Sequence, residues 1–466
     1  MAAESSSTVI SPAPPYRSGP SALHQDILAP DQAPDGPGSG AAGSGLPFSA
    51  PPLTANAPLQ GSLTVPGDKS VGHRSLLIGA LCDGPVAVTG LSDGEDNRSS
   101  AQILSQMGVR IERHGGGRAT VYGVGLHGLT APTEPLDCGN SGTTMRLTLG
   151  ILAGQPFLAT LVGDHSLSRR PMKRVLTPLS QMGLEVRASR DGNFPPLTVH
   201  GKRPLTAIAY ASPVASAQIK SAILLAGLWA EGTTTVTEPE VSRDHTERML
   251  AYLKDGARLA NKPIHVPGDL SSAAFMLGAA LIVEGSEVTV NDVGVNPTRT
   301  GFLDVLGAMG VTVERGSPTV RNGEPTADLR VRFGPLEATT IAGELTVRAI
   351  DELPLIATIA AFANGNTTIR DAKELRIKES DRIAQTATML RSFGVTVDEH
   401  DDGLTVHGLP NRALSPGDID ADGDHRIAMC ASLLALRAPG TVIRGAETIA
   451  TSFPSFHSCL RGLGAT

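Results

Sequence analysis

A helix that runs into a glycine and then into a short alternating strand returns six times along this chain. The copies are NRSSAQILSQMGVRIE (97–112), RRPMKRVLTPLSQMGLEVR (169–187), RDHTERMLAYLKDGARLA (243–260), NPTRTGFLDVLGAMGVTVE (296–314), ESDRIAQTATMLRSFGVTVD (379–398) and ATSFPSFHSCLRGLGA (450–465). Such a repeat restricts the fold more than composition does, because one unit cannot bury its apolar face alone and must stack on others. Leu and Met recur at i, i+3 and i+4, which gives each helix one buried stripe. The glycine suits a left-handed C-cap, and runs such as VRIE and VTVD read as strands.

Between these helices lie six others that are apolar nearly all round: SVGHRSLLIGAL (70–81), GTTMRLTLGILAG (142–154), SAQIKSAILLAGL (216–228), SSAAFMLGAALI (271–282), LPLIATIAAFA (353–363) and HRIAMCASLLAL (425–436). A helix of that kind belongs inside a core. Each unit therefore pairs one buried and one surface helix with strands between. Three units precede about residue 262 and three follow, and each half opens on the same turn, VPGDKSVGHRS at 65–75 and VPGDLSSAAF at 266–275. The second copy carries Leu270, Ala274 and Phe275 where the first has Lys69, His73 and Arg74. The expectation is an α/β fold of two similar domains of three units each. Residues 69–261 form the N-terminal-half domain, and 57–68 with 262–466 form the C-terminal-half domain. Residues 1–56, rich in Pro, Gly, Ser and Ala, read as a disordered tail; with one arginine and several aspartates they do not match a transit peptide.

The polar residues do not follow the repeat, as they would in a plain scaffold. They gather at helix starts and differ from copy to copy. The buried helices begin with Lys69, Ser70 and Arg74; with Asn140, Ser141, Gly142, Thr143 and Arg146; with Ser216, Ala217, Gln218 and Lys220; with Asp351 and Glu352; and with Asp424, His425 and Arg426. Arg169, Arg170, Ser242, Arg243, Lys378, Glu379 and Arg382 stand at starts of surface helices. Taken singly, a Ser or Asn there is an ordinary N-cap, and Lys378, Glu379 and Arg382 could be a solvated charge set. Taken together, cations at several helix N-termini oppose the dipole unless an anion is bound there. A ligand with more than one anionic group follows.

Composition removes other classes. Aromatics are 3% of the 466 residues and the formal charge is −7, so neither base-stacking platforms nor a general basic field is present, and no nucleic-acid partner is expected. Cys82, Cys138, Cys430 and Cys459 form no CxxC pair, so no zinc knuckle or disulfide framework is indicated. A reducing, cytoplasmic setting without membrane contact fits these features.

GNSGTTMRLT (139–148), SAQIKSA (216–222), RIKESDR (376–382), GDHRIAM (423–429) and VPGDKS together resemble 5-enolpyruvylshikimate-3-phosphate synthase over roughly residues 58–464. GDKS, SAQIK, RDHTE (243–247) and NPTR (296–299) are similar to the subgroup called class II. The resemblance implies two domains of three βαβαββ units that close on the substrates. It implies transfer of the enolpyruvyl group of phosphoenolpyruvate to the 5-hydroxyl of shikimate 3-phosphate, in a monomer that needs no metal or organic cofactor. It also implies roles. Lys69 contacts both substrates and is a candidate proton donor. Asp351 is the proton acceptor and Glu379 a second acid/base. Gly142, Arg170, Gln218, Arg382 and Arg426 hold phosphoenolpyruvate with Lys69. Ser70, Arg74, Ser216, Ala217, Gln218, Arg243 and Lys378 hold shikimate 3-phosphate with Lys69 and Asp351. In this family the inhibitor glyphosate occupies the phosphoenolpyruvate place, and tolerant members of the subgroup commonly carry Ala where this chain has Gly142.

Two departures stand out. Many members carry a lysine near the C-terminal Phe-Pro, where this chain has Thr451 and Ser452 before Phe453-Pro454. The third unit is also short: only ten positions separate Gly256 from Val266, against about thirty from Gly108 to the next helix start. A β-hairpin's worth of chain is absent, which should bare a sheet edge. Two rival functions stay open. UDP-N-acetylglucosamine enolpyruvyl transferase would bring a reactive loop cysteine and a Lys-Asn start. A degenerate, non-catalytic homologue would retain ligand binding only.

Overall fold

The computed structural model describes residues 6–10 and 52–466. All twelve expected helices are present. The core helices are α1 (Lys69–Gly79), α3 (Gly142–Ala153), α5 (Ala217–Ala226), α7 (Leu270–Ile282), α9 (Leu353–Ala360) and α11 (His425–Ala435). The surface helices are α2 (Glu95–Gln106), α4 (Lys173–Met182), α6 (His245–Leu253), α8 (Gly301–Ala308), α10 (Arg382–Ser392) and α12 (Phe456–Gly462). Every residue of α7 is buried, as its all-round apolarity demands. The glycine behind each surface helix has positive φ: Gly108, Gly183, Gly256, Gly310, Gly394 and Gly464. That conformation, cheap only for glycine, turns the chain back into the sheet.

Sheets flank these helices. In the first half β14 (Ile264–His265), β3 (Asp83–Thr89), β5 (Arg118–Val124) and β4 (Ile111–Gly115) form one sheet in that order, and β6 (Leu136–Asp137), β7 (Leu158–Val162), β9 (Phe194–His200) and β8 (Glu185–Ala188) form the next. In the second half the corresponding orders are β2 (Gln60–Thr64), β15 (Glu287–Gly294), β17 (Glu324–Arg332), β16 (Glu314–Arg315), and β18 (Thr340–Ile341), β19 (Gly365–Ile369), β21 (Gly403–Gly408), β20 (Val397–His400). In all four sheets a long strand has a parallel neighbour on one side and an antiparallel one on the other. The sixth unit keeps only a parallel pair, β22 (Asp418–Asp420) and β23 (Val442–Arg444).

The third unit is the irregular one. Its long strand β11 (Thr234–Glu238) has β10 (Ala209–Ala211) as its parallel neighbour. The chain after α6 makes only β12 (Lys254–Asp255) and β13 (Arg258–Leu259), which pair with each other. The antiparallel side of β11 is taken by β1, Ser6–Ile10.

Two apolar cores result. One is built from residues 71–266 and the other from the C-terminal half together with Leu53, Leu59 and Val65. The changeover lies slightly later than the sequence suggests, because Ile264 pairs with β3 and Val266 packs in the first core. The expected tail also needs correction where it is described. Residues 6–10 are a strand, and Leu53 is buried while Thr54 exchanges backbone hydrogen bonds with Thr466 at 2.7 and 2.8 Å. Short β-prone runs are lost when composition is averaged over 56 residues. Residues 1–5 and 11–51 lie outside the described residues. No described helix is long and apolar enough to cross a membrane.

Candidate active site

The two VPGD turns cross each other. Asp68 N–H donates to Pro267 O at 2.7 Å and Asp269 N–H donates to Pro66 O at 2.9 Å. Each Asp then caps its helix, accepting from Val71 N–H (2.8 Å) and Ser271 N–H (3.1 Å). This crossing joins the halves and turns the starts of all six core helices toward one cleft of about 320 Å³. The shared turn is structural; only the first copy adds Lys69, Ser70 and Arg74 to the cleft lining.

The fourteen residues given roles through the resemblance line this cleft: Lys69, Ser70, Arg74, Gly142, Arg170, Ser216, Ala217, Gln218, Arg243, Asp351, Lys378, Glu379, Arg382 and Arg426; the helix-start residues Arg169, Lys220, Glu352 and Asp424 do not. Thr451 also lines it, on the segment where the resemblance calls for a lysine. Two local details differ from the reading. Lys378 and Glu379 sit in the turn ahead of α10, which begins at Arg382 behind its own cap, Asp381. Arg74 is tied inward, donating to Thr246 Oγ1 (2.6 Å), Ser221 Oγ (2.7 Å) and Ser70 O (2.9 Å). Burial lowers its pKa to about 10 even though Glu247 and Asp68 oppose that.

The charges are arranged as opposed clusters. Arg243 from the first half reaches across to pair with Asp351 of the second. Lys378 Nζ and Arg299 Nη1 lie 3.7 Å from the same carboxylate. Burial opposes ionisation of Asp351, but Arg243, Lys378, Arg426 and Arg299 outweigh it and hold the group well below the usual carboxylate range. Glu379 behaves alike: burial opposes ionisation, and Arg382 (2.6 Å), Arg170 and Lys69 hold it ionised. Lys69 is 2.8 Å from Asp96; burial would strip its proton, while Asp96 and Glu379 raise its pKa instead. Arg382, almost wholly buried, also grips Asp424 at 2.8 Å. The dipole conflict inferred from sequence is therefore partly relieved by the carboxylates of Asp96, Asp269 and Asp424.

The remaining cations point into the cleft with few partners. Arg170 donates to the neutral Asn140 Oδ1 (2.6 Å) and Ser166 Oγ (3.1 Å), and its buried Nε has no partner. Arg146 donates to Gln218 Oε1 (2.6 Å), and Gln218 Nε2 donates to Thr143 Oγ1 (2.9 Å). Burial, with Arg170 adding to it, brings Arg146 down to about 10. Arg426 donates to Asp351 O at 2.6 Å. His425 is buried, has no partner on Nε2, and burial lowers it to about 4, so it is neutral at pH 7. Arg146, His425, Asp96 and Arg299 were given no role from the sequence. For the first two the helix-start position was the available signal; for Arg299 it was the NPTR motif. Nothing local marks Asp96, which the fold brings to Lys69. The cysteines do not form a reactive loop: Cys82 and Cys138 are buried, and burial pushes the Cys82 thiol up to about 12.

A cleft between two three-unit α/β domains, lined by helix starts and arginines, marks an enolpyruvyl-transferase-type protein. Among solved structures, EPSP synthase from Acinetobacter baumannii superposes with TM-score 0.80 at 42% identity, covering 89% of this chain and 98% of that one. The enolpyruvyl transferase NikO from Streptomyces tendae shares the fold, with TM-score 0.69 at 21% identity and 89% and 98% coverage. The EPSP synthase (3-phosphoshikimate 1-carboxyvinyltransferase) family model matches residues 53–460. Curated 3-phosphoshikimate 1-carboxyvinyltransferases from Xanthomonas campestris pv. campestris and Pelobacter propionicus are 50% and 48% identical over 420 and 422 residues. These matches cover 87% and 88% of this chain and 95% and 97% of the relatives. The chain belongs to the EPSP synthase family.

Proposed function

We propose that this chain catalyses transfer of the enolpyruvyl group of phosphoenolpyruvate to the 5-hydroxyl of shikimate 3-phosphate, releasing phosphate, a transferase step of aromatic amino acid biosynthesis. The observation that carries the reading is the single cleft in which Lys69, Asp351 and Glu379 meet cationic helix starts from both halves. In the addition, the 5-oxygen bonds to C2 of phosphoenolpyruvate, its proton passes to a base, and C3 gains a proton. In the elimination, the C2–phosphate oxygen bond breaks, C3 loses a proton, and the enol ether forms. The protein must therefore clamp two anions, supply a proton and accept one.

The electrostatics favour particular roles. Asp351 is ionised at neutral pH, as an acceptor must be. Lys69 keeps its proton and can donate it, whereas Glu379 must first gain one. Arg170, with Arg146 behind it, offers a guanidinium fork for phosphoenolpyruvate beside Gly142 and Gln218. Arg426 and Arg382 face the same ligand from the other half. The hydroxyls of Ser70 and Ser216 with Arg74, Ala217, Gln218, Arg243 and Lys378 form the shikimate 3-phosphate side. Binding there would draw Arg243 from Asp351 onto the phosphate and free the carboxylate for the 5-hydroxyl.

The test is phosphate release from phosphoenolpyruvate, measured with shikimate 3-phosphate, with UDP-N-acetylglucosamine, and with no acceptor. Release with the first alone supports the reading. Release with the sugar nucleotide alone, or none despite ligand binding, overturns it.

A further inference from the structure

The strand β1 sits where the third unit lacks one. In four sheets a strand from the same unit's hairpin lies antiparallel along the long strand. Behind α6 that hairpin is reduced to β12 and β13, which pair only with each other. β11 would thus present an open row of N–H and C=O groups, a template for any extended segment. Instead Ser6–Ile10 runs antiparallel along its whole length, in register from Ser6 opposite Glu238 to Ile10 opposite Thr234. The sequence Ser-Ser-Thr-Val-Ile is β-prone and free of Pro and Gly.

The place is consequential. Glu238, at the end of β11, is buried and accepts from Ser216 N–H (2.8 Å), from Ser242 Oγ (2.8 Å) and from Lys220 Nζ (2.9 Å). Those bonds fix the start of α5 and the Ser242–Arg243 approach to the cleft. We propose that the free side of β11 is a strand-accepting site and that its occupant is this chain's own residues 6–10, which replace the missing hairpin strand in cis. Recognition is by main-chain hydrogen bonds, the mode by which extended peptides extend sheets.

Hydrogen exchange of the Thr234, Val236 and Glu238 amides, which face β1 because Thr235 N–H donates to Ile208 O (2.9 Å) on the opposite side, tests this without relying on activity. A chain lacking residues 1–11 should exchange there at least tenfold faster, and a peptide of residues 4–12 should restore protection where a scrambled peptide does not. In the full chain, Thr8→Pro and Val9→Pro are compared, because adjacent strand residues point their N–H groups to opposite sides and only one of the two faces β11. One of the pair should raise exchange at 234, 236 and 238 well above the other. Unchanged protection on truncation, equal rescue by the scrambled peptide, or equal behaviour of the two proline variants overturns the proposal. So does protection lost on dilution together with a dimer in sedimentation, since the strand would then come from a second copy.

Discussion

At the scale of single residues, the cleft separates groups that hold the fold from groups free to hold a ligand. Arg382 is bonded to Asp424 and Glu379 in a buried position. Arg382→Ala would leave both carboxylates without that partner and should cost about 3–5 kcal/mol of stability, read as a lower denaturation midpoint. Its effect on the Michaelis constant therefore mixes folding with binding. Arg170 is the cleaner probe, since its partners Asn140 and Ser166 are neutral. Arg170→Ala should keep the parental midpoint and raise the Michaelis constant for phosphoenolpyruvate by tenfold or more, about 1.5–3 kcal/mol for lost bonds to a charged ligand; unchanged kinetics would remove Arg170 from the clamp. Asp351→Asn preserves shape and removes the acceptor, so shikimate 3-phosphate should still bind while turnover falls; turnover within about tenfold of the parent would show that another group takes the proton. A Cβ on Gly142 would lie 2.9 Å from Arg146 Nη1 and 3.6 Å from Arg170 Nη1. With Arg146 held by Gln218 at 2.6 Å, the methyl must displace a guanidinium that lines the ligand place. Gly142→Ala should raise the glyphosate inhibition constant more than the Michaelis constant for phosphoenolpyruvate, and equal rises would mean simple damage to a shared site. Twelve of the fourteen cleft residues were legible because they stand in short contiguous motifs, whereas Arg170 and Asp351 stand alone at helix starts. Asp96 was not, since its meaning comes from Lys69 across a helix pair.

At the scale of elements, the helices were readable and the short strands were not. Two turns or more of 3.6-residue periodicity carry a signal, while two-residue strands such as β6, β14 and β18 carry none. Lys378 and Glu379 were placed at a helix start because the repeat copy begins there at 379, yet the chain keeps them in a turn ahead of α10 that lines the cleft. The repeated VPGD was visible as a turn, but not as a crossing. Gly67 shows why the turn is fixed: a Cβ there would meet Gly90 O at 1.7 Å. In the crossing, Asp68 and Asp269 both face Arg299, at 4.0 and 3.2 Å. Burial first, and then the charge of Asp68, push Asp269 up to about 6, against the pull of Arg299 and Arg426. Between the ordinary aspartate value of 3.8 and about 6 the folded protein keeps a proton that the unfolded chain has lost. The stability tied to the Asp269 proton is therefore full below that window and declines as pH rises through it, whereas, against burial, His245 and Arg299 hold Asp68 below its ordinary range. Asn at 269 can still cap Ser271 but cannot ionise. The stability of Asp269→Asn relative to the parent should grow from pH 4 to pH 7 by on the order of 1–3 kcal/mol. Parallel melting curves across that range would show the opposite.

At the scale of the whole molecule, the two halves were legible from the doubled turn, whereas the face on which the six helix starts meet was not, because that depends on how two cores tilt about the crossing. The structure is closed over the cleft. Arg243 spans it to Asp351, and the exposed pair Arg174–Glu374 spans its rim at 2.5 Å. Exposed pairs of that kind contribute about 0–1 kcal/mol, so the rim alone does not hold the halves together. Closure also brings Lys69, Arg146 and Arg170 of the first half toward Lys378, Arg382 and Arg426 of the second. Carboxylates answer part of that charge, and two anionic substrates would answer the rest. The closed form should thus be favoured by differential binding, by as much as the substrates prefer it over the open one. Small-angle scattering should show a smaller radius of gyration with both substrates, or with phosphoenolpyruvate replaced by an inhibitor, than with neither. Arg243→Ala, which removes the main cross-cleft tie and one proposed contact to the phosphate, should expand the unliganded protein, and saturating substrates should compact it again. A radius unchanged by ligands in both proteins would mean that the third unit's contacts with the second half, including the buried His245–Glu324 pair at 2.8 Å, lock the halves, and that substrates enter a cleft which does not open.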